Sequence, residues 1–368
     1  MLRRWLSILA LGACVSCAEG AASVAPGGAL STGAGAGQAV RRLVGEAHAV
    51  QGLSPSSWSA QLAAATAQLP TIGPRRLYHT SDGTRTYTEV ELAPLPKAAR
   101  ANFLPETVDE QAYYYGPLGS PLFYMRLLDI VSANVRANLQ GRRILEWNYS
   151  SIGPLKLLAA QGAQTVGISP SPRLRALYSF PGDQGELAVV DREVRGRVTL
   201  LSGTFPADPA ARAAVGGGYD VIIARNLLLR GYIHPSAAED TTLPGARAAS
   251  PPALDLGVSD EEFLRYMLEA LKPGGRLLVY NLCAPPPPST VAYDPHSDCR
   301  NPFPQALWQA MGFRVRDYDR SDTTALRDLV RALAPDPLTT PPTVPSRIGS
   351  ARLNPGDLYA TYTLVERP

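Results

Sequence analysis

A β-strand, a tight turn, a helix and a second β-strand follow one another between residues 141 and 171, and this succession constrains the fold most. Residues 143–147 (RILEW) and 164–168 (QTVGI) are short, mostly apolar runs, and residues 155–160 between them have a helical pattern. The order predicts a β-α-β unit with two parallel neighbouring strands. The turn after the first strand is unusual, because it carries Asn148, Ser150 and Ser151 and a single glycine, Gly153.

Strand and helix patterns continue to alternate after this unit. Further strands are predicted at residues 197–203, 219–224, 276–282, 313–318 and 358–365. Helices are predicted at residues 120–139, 171–180, 208–215, 260–271, 304–311 and 324–334. Such alternation predicts an α/β fold with a doubly wound, mainly parallel sheet that is covered on both faces.

The segment before this α/β region has a different pattern. Residues 38–66 are rich in alanine and have a helical pattern, and residues 75–92 alternate around Ser81-Asp82-Gly83, which is typical of a β-hairpin. We therefore divide the body of the chain into an N-terminal helical and hairpin extension, residues 41–109, and an α/β domain, residues 110–368.

The first seventeen residues have the pattern of an export signal. Arg3 and Arg4 precede a short apolar run, residues 5–13, and residues 11–14 (LGAC) resemble a bacterial lipobox that ends in Cys14. Residues 18–40 are low in complexity and are typical of a flexible tether. The pattern predicts an exported lipoprotein whose only membrane contact is a lipid on Cys14. The alternative is a misassigned start codon before a cytoplasmic enzyme.

Composition and missing motifs exclude several function classes. The chain has 35 Lys and Arg against 32 Asp and Glu, a net charge of +3, without a basic cluster in its body, so nucleic acid is not an expected partner. The first strand is not followed by the G-x-G-x-x-G pattern of a dinucleotide-dependent dehydrogenase. No G-x-S-x-G elbow of a serine hydrolase is present.

Cys283 and Cys299 leave three interpretations open. In an oxidising compartment they can form a disulfide, and otherwise they are two separate thiols. Asp294, His296 and Asp298 crowd the same loop, but their spacing matches no zinc pattern, so we predict no metal site.

Six segments of residues 110–368 resemble the Rossmann-like (class I) S-adenosylmethionine-dependent methyltransferases. The strand-four segment, residues 219–222 (YDVI), and the turn into strand five, residues 271–277 (LKPGGRL), are similar to those of the family. The other four segments are residues 145–146 (LE), 166–171 (VGISPS), 201–204 (LSGT) and 311–313 (MGF). The resemblance implies a seven-stranded sheet of methyltransferase type, with the last strand antiparallel.

The resemblance also implies where S-adenosylmethionine would bind. Glu146 would face the methionine ammonium of the cofactor, and Gly153 would allow close approach of the turn. Asn148 and Ser150 stand where the family prefers glycine. Ser169 stands where an acid normally holds the ribose hydroxyls, and Thr204 where an acid reads the adenine amine.

These departures weaken the expected cofactor site. Asn tolerates a positive φ better than Ser does. Neutral hydroxyl groups make weaker hydrogen bonds than carboxylates, and together the departures cost several kcal/mol, on the order of 10³ in affinity. Two interpretations therefore compete: a methyltransferase with an unusual pocket and an unknown acceptor, or an exported non-catalytic protein that uses the fold as a binding module.

Candidates for the acceptor side follow the fourth strand. Asn226 lies where family members often place acceptor-orienting residues, and His234 is a candidate general base. The aromatic residues 113–115 are either a lid over the pocket or part of the core of the extension.

Overall fold

The computed structural model describes residues 37–116, 119–133, 138–188, 195–235, 254–284, 297–333, 343–346, 349–352 and 358–368. The expected signal segment, the tether as far as residue 36, Asp294 and His296 lie outside the described residues. The strands are β1 Arg75–Thr80, β2 Thr86–Thr88, β3 Phe103–Val108, β4 Arg143–Trp147, β5 Gln164–Ser169, β6 Gly185–Ala188, β7 Arg195–Ser202, β8 Tyr219–Arg225, β9 Leu271–Cys283, β10 Arg314–Ser321, β11 Thr343–Ser346, β12 Gly349–Arg352 and β13 Tyr359–Glu366.

The central sheet contains eight of these strands, in the order β10-β13-β9-β8-β4-β5-β7-β6. Strands β4, β5, β7, β8 and β9 pair in parallel. The predicted α/β class and mainly parallel sheet are confirmed. The expected number of seven strands is wrong, because β6 adds an antiparallel edge strand beside β7. The short run GELA that forms β6 is too brief to be recognised by periodicity.

The last strand lies where the resemblance implied. β13 is antiparallel to both of its neighbours, β9 and β10, with Tyr362 opposite Tyr280 and Val365 opposite Leu277. The LKPGG segment belongs to β9, and the register between β8 and β9 shifts at this point. The antiparallel final strand inside a parallel sheet is therefore confirmed.

The helices flank this sheet and the extension. They are α1 Gln38–Ala49, α2 Ser57–Ala64, α3 Glu89–Leu92, α4 Lys97–Arg100, α5 Glu110–Tyr114, α6 Tyr124–Val131, α7 Gly153–Ala159, α8 Pro172–Leu177, α9 Pro209–Val215, α10 Arg230–Ile233, α11 Asp260–Ala270, α12 Gln305–Ala310 and α13 Thr323–Leu333. Short 3₁₀ helices span Ala65–Gln68 and Pro121–Phe123. None of the helices in the described part of the chain is long and apolar enough to cross a membrane.

The helix expected at residues 120–139 is much shorter in the structure. It begins as the 3₁₀ turn Pro121–Phe123, where the Ser120 hydroxyl accepts a hydrogen bond from the Leu122 amide, and continues as α6 only to Val131. Apolar periodicity therefore overestimated its length.

Two hydrophobic cores cover the two faces of the central sheet. Alternation along β8 sends Val221 and Ile223 to one core and Ile222 and Ala224 to the other. The first core also contains residues of the extension, among them Leu43 and Leu62. The extension thus packs on one face as part of the cover that this sheet requires.

The extension contains a three-stranded sheet, not only a hairpin. The order is β2-β1-β3, and β3 pairs antiparallel with the whole of β1. The predicted hairpin turn is present, but its second strand ends at Thr88, where a capping box with Glu91 begins α3. Helix α1 begins at Gln38, before the expected end of the tether at residue 40.

A buried ion pair holds the extension to the α/β domain. Arg75 of β1 donates two hydrogen bonds to the Asp183 carboxylate, both of 2.6 Å, and the Tyr113 hydroxyl donates a third, of 2.7 Å. The guanidinium lies 4.5 Å from the ring centroids of both Tyr113 and Phe180. Because both partners are buried and fully engaged, loss of either leaves a buried charge without its counter-ion.

We expect Asp183→Ala to lower the free energy of unfolding by about 3–5 kcal/mol, because Arg75 remains buried and unpaired. The matched control is Glu186→Ala, whose partner Arg195 is 69% exposed. That change should cost less than about 1 kcal/mol. Urea unfolding of both variants measures the difference, and equal losses would contradict the role of the pair.

Candidate functional site

The central sheet reverses its strand order between β4 and β8. From β4 the chain proceeds through β5 and β7 in one direction, while β8 and β9 lie on the other side. In open α/β sheets, ligands bind in the crevice outside the carboxyl ends of the strands at such a point. Glu146 of β4 and Arg225 of β8 lie at these strand ends.

Glu146 and Arg225 form a buried ion pair. Nη2 of Arg225 lies 3.0 Å from Oε1 of Glu146, and the exposed fractions of the two side chains are 6% and 1%. The same Nη2 donates a hydrogen bond of 2.9 Å to the Ser150 hydroxyl. Burial raises the pKa of Glu146, and the positive charge of Arg225 opposes this shift. The acid is therefore held by a guanidinium of the protein itself.

The turn after β4 uses its polar residues within the protein. Asn148 has φ of 58°, in the left-handed region that Asn tolerates. Its Oδ1 accepts a hydrogen bond of 3.1 Å from the Ser169 hydroxyl, and Ser169 in turn accepts one from the Ser171 amide. Asn148 thus replaces glycine conformationally, but its side chain is already bonded to the residue expected to hold ribose.

Residues 114–116, near the start of the α/β domain, lie directly against this turn. A Cβ atom on Gly153 would be 2.2 Å from the Tyr114 carbonyl oxygen, and one on Gly116 would be 3.0 Å from Cβ of Ser151. Gly153 is therefore required for close approach of the protein's own backbone. Tyr113, Tyr114 and Tyr115 are buried in the first hydrophobic core, to which the extension also contributes, in agreement with the packing interpretation.

Thr204 does not join the cluster. It follows β7 and is exposed, and its carbonyl oxygen accepts the Asp208 amide at 2.7 Å. Gly203 beside it donates to the Ser169 carbonyl at 3.3 Å. The structure joins Glu146 to Ser150 through Arg225, and it joins Asn148 to Ser169. Gly153 packs against Tyr114, and Thr204 is exposed.

The two acceptor-side candidates have separate partners. Asn226 has φ of 59°, and its Oδ1 accepts the Leu282 amide at 2.8 Å, so that it joins β8 to β9. Nε2 of His234 lies 2.8 Å from the Asp260 carboxylate at the start of α11. Catalytic roles for Asn226 and His234 stay predictions.

The residues at the strand ends do not fit S-adenosylmethionine. The carboxylate expected to face its ammonium already has a cation, and residues 114–116 lie against the turn. Among the described residues, Oε2 of Glu146 and Nε of Arg225 have no hydrogen-bond partner. A cavity of about 10 Å³ borders Arg225 on the side of the first core, between Phe123, Leu127 and Tyr280, and has room for about one water molecule.

Arg225 is the residue that sequence reasoning missed. The sequence predicted no role for it. The available signal was an arginine directly after the apolar run YDVIIA, because a charge at the end of a buried strand needs a buried counter-charge.

Cys283 and Cys299 form a disulfide, with a Cα–Cα distance of 5.8 Å. The disulfide closes the loop after β9. Of the three interpretations of these cysteines, the structure therefore agrees with the disulfide. In the described part of the chain, no group of three or more His, Cys, Asp and Glu side chains is arranged to hold a metal ion.

No protein-family model and no curated protein matches this chain. Solved structures with a similar fold include the cyclase SpnF, with 18% identity, a TM-score of 0.36 and coverage of 66% of this chain and 80% of that chain. A TehB-like SAM-dependent methyltransferase from Corynebacterium glutamicum has 13% identity, a TM-score of 0.32 and coverage of 66% and 86%. The magnesium protoporphyrin IX methyltransferase of Synechocystis, with bound SAM, has 13% identity, a TM-score of 0.29 and coverage of 67% and 79%. These TM-scores are too low for the similarities to support a conclusion. The strand order of the central sheet itself supports a Rossmann-like methyltransferase fold.

We expect Arg225→Met to lower the free energy of unfolding by about 3–5 kcal/mol, because Glu146 remains buried without a cation. The double variant Glu146→Gln with Arg225→Met should recover most of this loss in urea unfolding. Loss of Arg225 raises the pKa of Glu146 further. A raised carboxyl pKa favours the folded state at low pH, so the deficit of Arg225→Met should shrink from about pH 8 to about pH 5. Equal losses in the single and double variants would contradict this account.

Proposed function

We propose that this chain is an exported, lipid-anchored protein in which the methyltransferase fold is a non-catalytic binding module with a closed cofactor cleft. The observation that carries the proposal is the ion pair between Glu146 and Arg225, in which the two side chains are 1% and 6% exposed. An acid that must hold a cofactor ammonium cannot also be neutralised by a buried guanidinium.

The energetics of this pair support the proposal. An incoming ammonium would have to displace Arg225, and breaking a buried pair costs about 3–5 kcal/mol. The displaced guanidinium would also lose its hydrogen bond to Ser150. Ser169 and Thr204 offer only neutral hydroxyl groups to the cofactor. Their hydrogen bonds are too weak to offset the cost of displacing Arg225.

The disulfide supports the exported location. Disulfides persist in oxidising compartments and are rare in the cytoplasm, and Cys283 and Cys299 are bonded. S-adenosylmethionine is not expected outside the cytoplasm, so the location and the closed cleft point to the same conclusion. The competing proposal is a cytoplasmic methyltransferase that opens its cleft, and a binding measurement separates the two.

The first test is calorimetric titration of the protein with S-adenosylmethionine. We expect no saturable binding up to about 1 mM cofactor, because Arg225 already neutralises the Glu146 carboxylate. A dissociation constant at or below about 1 µM would refute the closed cleft and favour the cytoplasmic enzyme.

A pair of variants tests whether Arg225 is the main obstacle. The first variant restores family-like residues by Asn148→Gly, Ser150→Gly, Ser169→Asp and Thr204→Asp. The second adds Arg225→Ala to these four changes. We expect at least about tenfold tighter S-adenosylmethionine binding in the second variant than in the first. Thermal unfolding should show that both variants are folded. Equal affinities of the two variants for S-adenosylmethionine would mean that Arg225 does not block the site.

Export is tested separately. Mass spectrometry of the native protein should show loss of residues 1–13 and a lipid on Cys14, as the LGAC segment predicts. Cys14→Ser should release the protein from membranes, because stable anchoring depends on the acyl chains. Cys17→Ser is the matched control and should leave the protein anchored. An intact Met1 in a soluble fraction would contradict export.

A further inference from the structure

The three-stranded sheet of the extension has one buried face and one outward face. Leu77 and Val108 are buried on the inner face. On the outer face, Tyr78 of β1 stands opposite Tyr87 of β2, and Thr80 stands opposite Phe103 of β3. Side chains alternate along a strand, so Tyr78, Tyr87 and Phe103 lie on the same face. These half-buried rings form a partly exposed aromatic surface.

A pocket of about 310 Å³ opens at one end of this surface. The Tyr87 and Phe103 rings contact each other beside it, with centroids 5.1 Å apart and planes inclined at 57°. The turn between β1 and β2 forms one rim, and Asn102 and its neighbours before β3 form the other. This volume lies within the range of small-molecule sites, roughly 300–1,000 Å³.

The β1–β2 turn is held in shape by its own hydrogen bonds. Oδ1 of Asp82 accepts from the Thr84 amide at 3.0 Å, from the Thr84 hydroxyl at 2.9 Å and from the Thr80 hydroxyl. These bonds, the one from Thr80 above all, lower the pKa of Asp82 to about 2, so the carboxylate is ionised at neutral pH. Asp82 is exposed, so its carboxylate can also accept hydrogen bonds from a ligand. The rim therefore offers a fixed acceptor at little ordering cost.

The lining combines three kinds of group. Two aromatic rings supply apolar faces, and the Asn102 amide can donate and accept hydrogen bonds. The hydroxyl oxygens of Thr80 and Thr84 can accept hydrogen bonds, while both of their protons are bonded to Asp82. Among the lining residues, Asp82 is the one carboxylate and Arg85 the one guanidinium, so the charges balance. A fitting ligand is neutral, has a face of C–H groups, and carries hydroxyl groups around its edge.

We propose that this pocket is a binding site for a neutral saccharide, with a pyranose ring packed against Tyr87 and Phe103 and its hydroxyl groups bonded to Asp82 and Asn102. The C–H groups of a pyranose face complement the negative faces of aromatic rings. The balanced charge of the lining gives no attraction for phosphate groups, which argues against single-stranded nucleic acid as the ligand. The site is remote in sequence from Glu146 and Arg225 and does not depend on the closed cofactor cleft.

The test uses the full chain in detergent solution and calorimetric titration with three neutral probes: cellotetraose, maltotetraose and chitotetraose. We expect saturable one-site binding of at least one probe, with a dissociation constant between about 10 µM and 1 mM. If none of the three binds at about 10 mM, the proposal is overturned.

Variants then locate the site. Tyr87→Ala should weaken binding at least about tenfold, whereas Tyr87→Phe, which keeps the ring, should stay within about threefold. Leu104→Ala is the matched control, because Leu104 follows Phe103 on β3, is 51% exposed and points to the opposite face. It should leave affinity unchanged, and thermal unfolding should show all three variants folded. If Tyr87→Ala unfolds, Asn102→Ala at the exposed rim replaces it, with the same expected loss.

A single-stranded oligothymidine probe separates the competing ligand class. We expect no binding of this probe at about 0.15 M salt. Oligothymidine binding that Tyr87→Ala abolishes would overturn the saccharide assignment, as would saccharide binding that Tyr87→Ala and Asn102→Ala leave unchanged.

Discussion

The ion pair between Glu146 and Arg225 is the interaction on which the centre of this structure depends. The two residues lie at the ends of neighbouring parallel strands, β4 and β8, and their side chains lie on the face of the sheet that the first core covers. Neither charge is tolerable there alone, because an isolated buried charge costs far more than the few kcal/mol by which proteins are stable. The pair therefore determines what the strand ends can bind. A crevice with a free carboxylate attracts a cation, while one with an internally neutralised carboxylate has no such preference.

Residues at the start of the α/β domain add to the closure that we propose for the cofactor cleft. The backbone of Tyr114 approaches Gly153 so closely that a Cβ atom on Gly153 would be 2.2 Å from the Tyr114 carbonyl oxygen. This approach is maintained from a distance by the Arg75–Asp183 pair, which joins β1 of the extension to the loop after α8. The extension thus supplies part of the first hydrophobic core, into which Tyr113, Tyr114 and Tyr115 also pack. An opening of the cleft would require separation of well-packed, charge-paired surfaces, which is costly because interiors are close-packed.

Much of the fold was predictable from the sequence, since strong periodicity and turn residues act locally. The run YDVIIA and the turn KPGG define β8 and the start of β9 without reference to anything distant. The prediction was weaker where short elements depend on a partner. β6 has four residues and exists because β7 has an open edge, and β3 depends on pairing with β1. At the site, Glu146, Asn148, Ser150 and Ser169 were recognised from the resemblance. The role of Arg225 was not, because the partner of a buried charge is set by which strands become neighbours.

The departures at the first turn have a common physical interpretation once Arg225 is included. Asn148 keeps the left-handed conformation that glycine would provide, yet its amide oxygen bonds Ser169. Ser150 supplies a hydroxyl for the Arg225 guanidinium. Each substitution thus satisfies a neighbouring group inside the protein, as buried polar groups require. Glycines and acids at the same positions would leave these groups open to a ligand. The polar residues of the turn therefore bond within the protein, which favours recognition on surfaces that remain open, such as the outer face of the β1–β3 sheet.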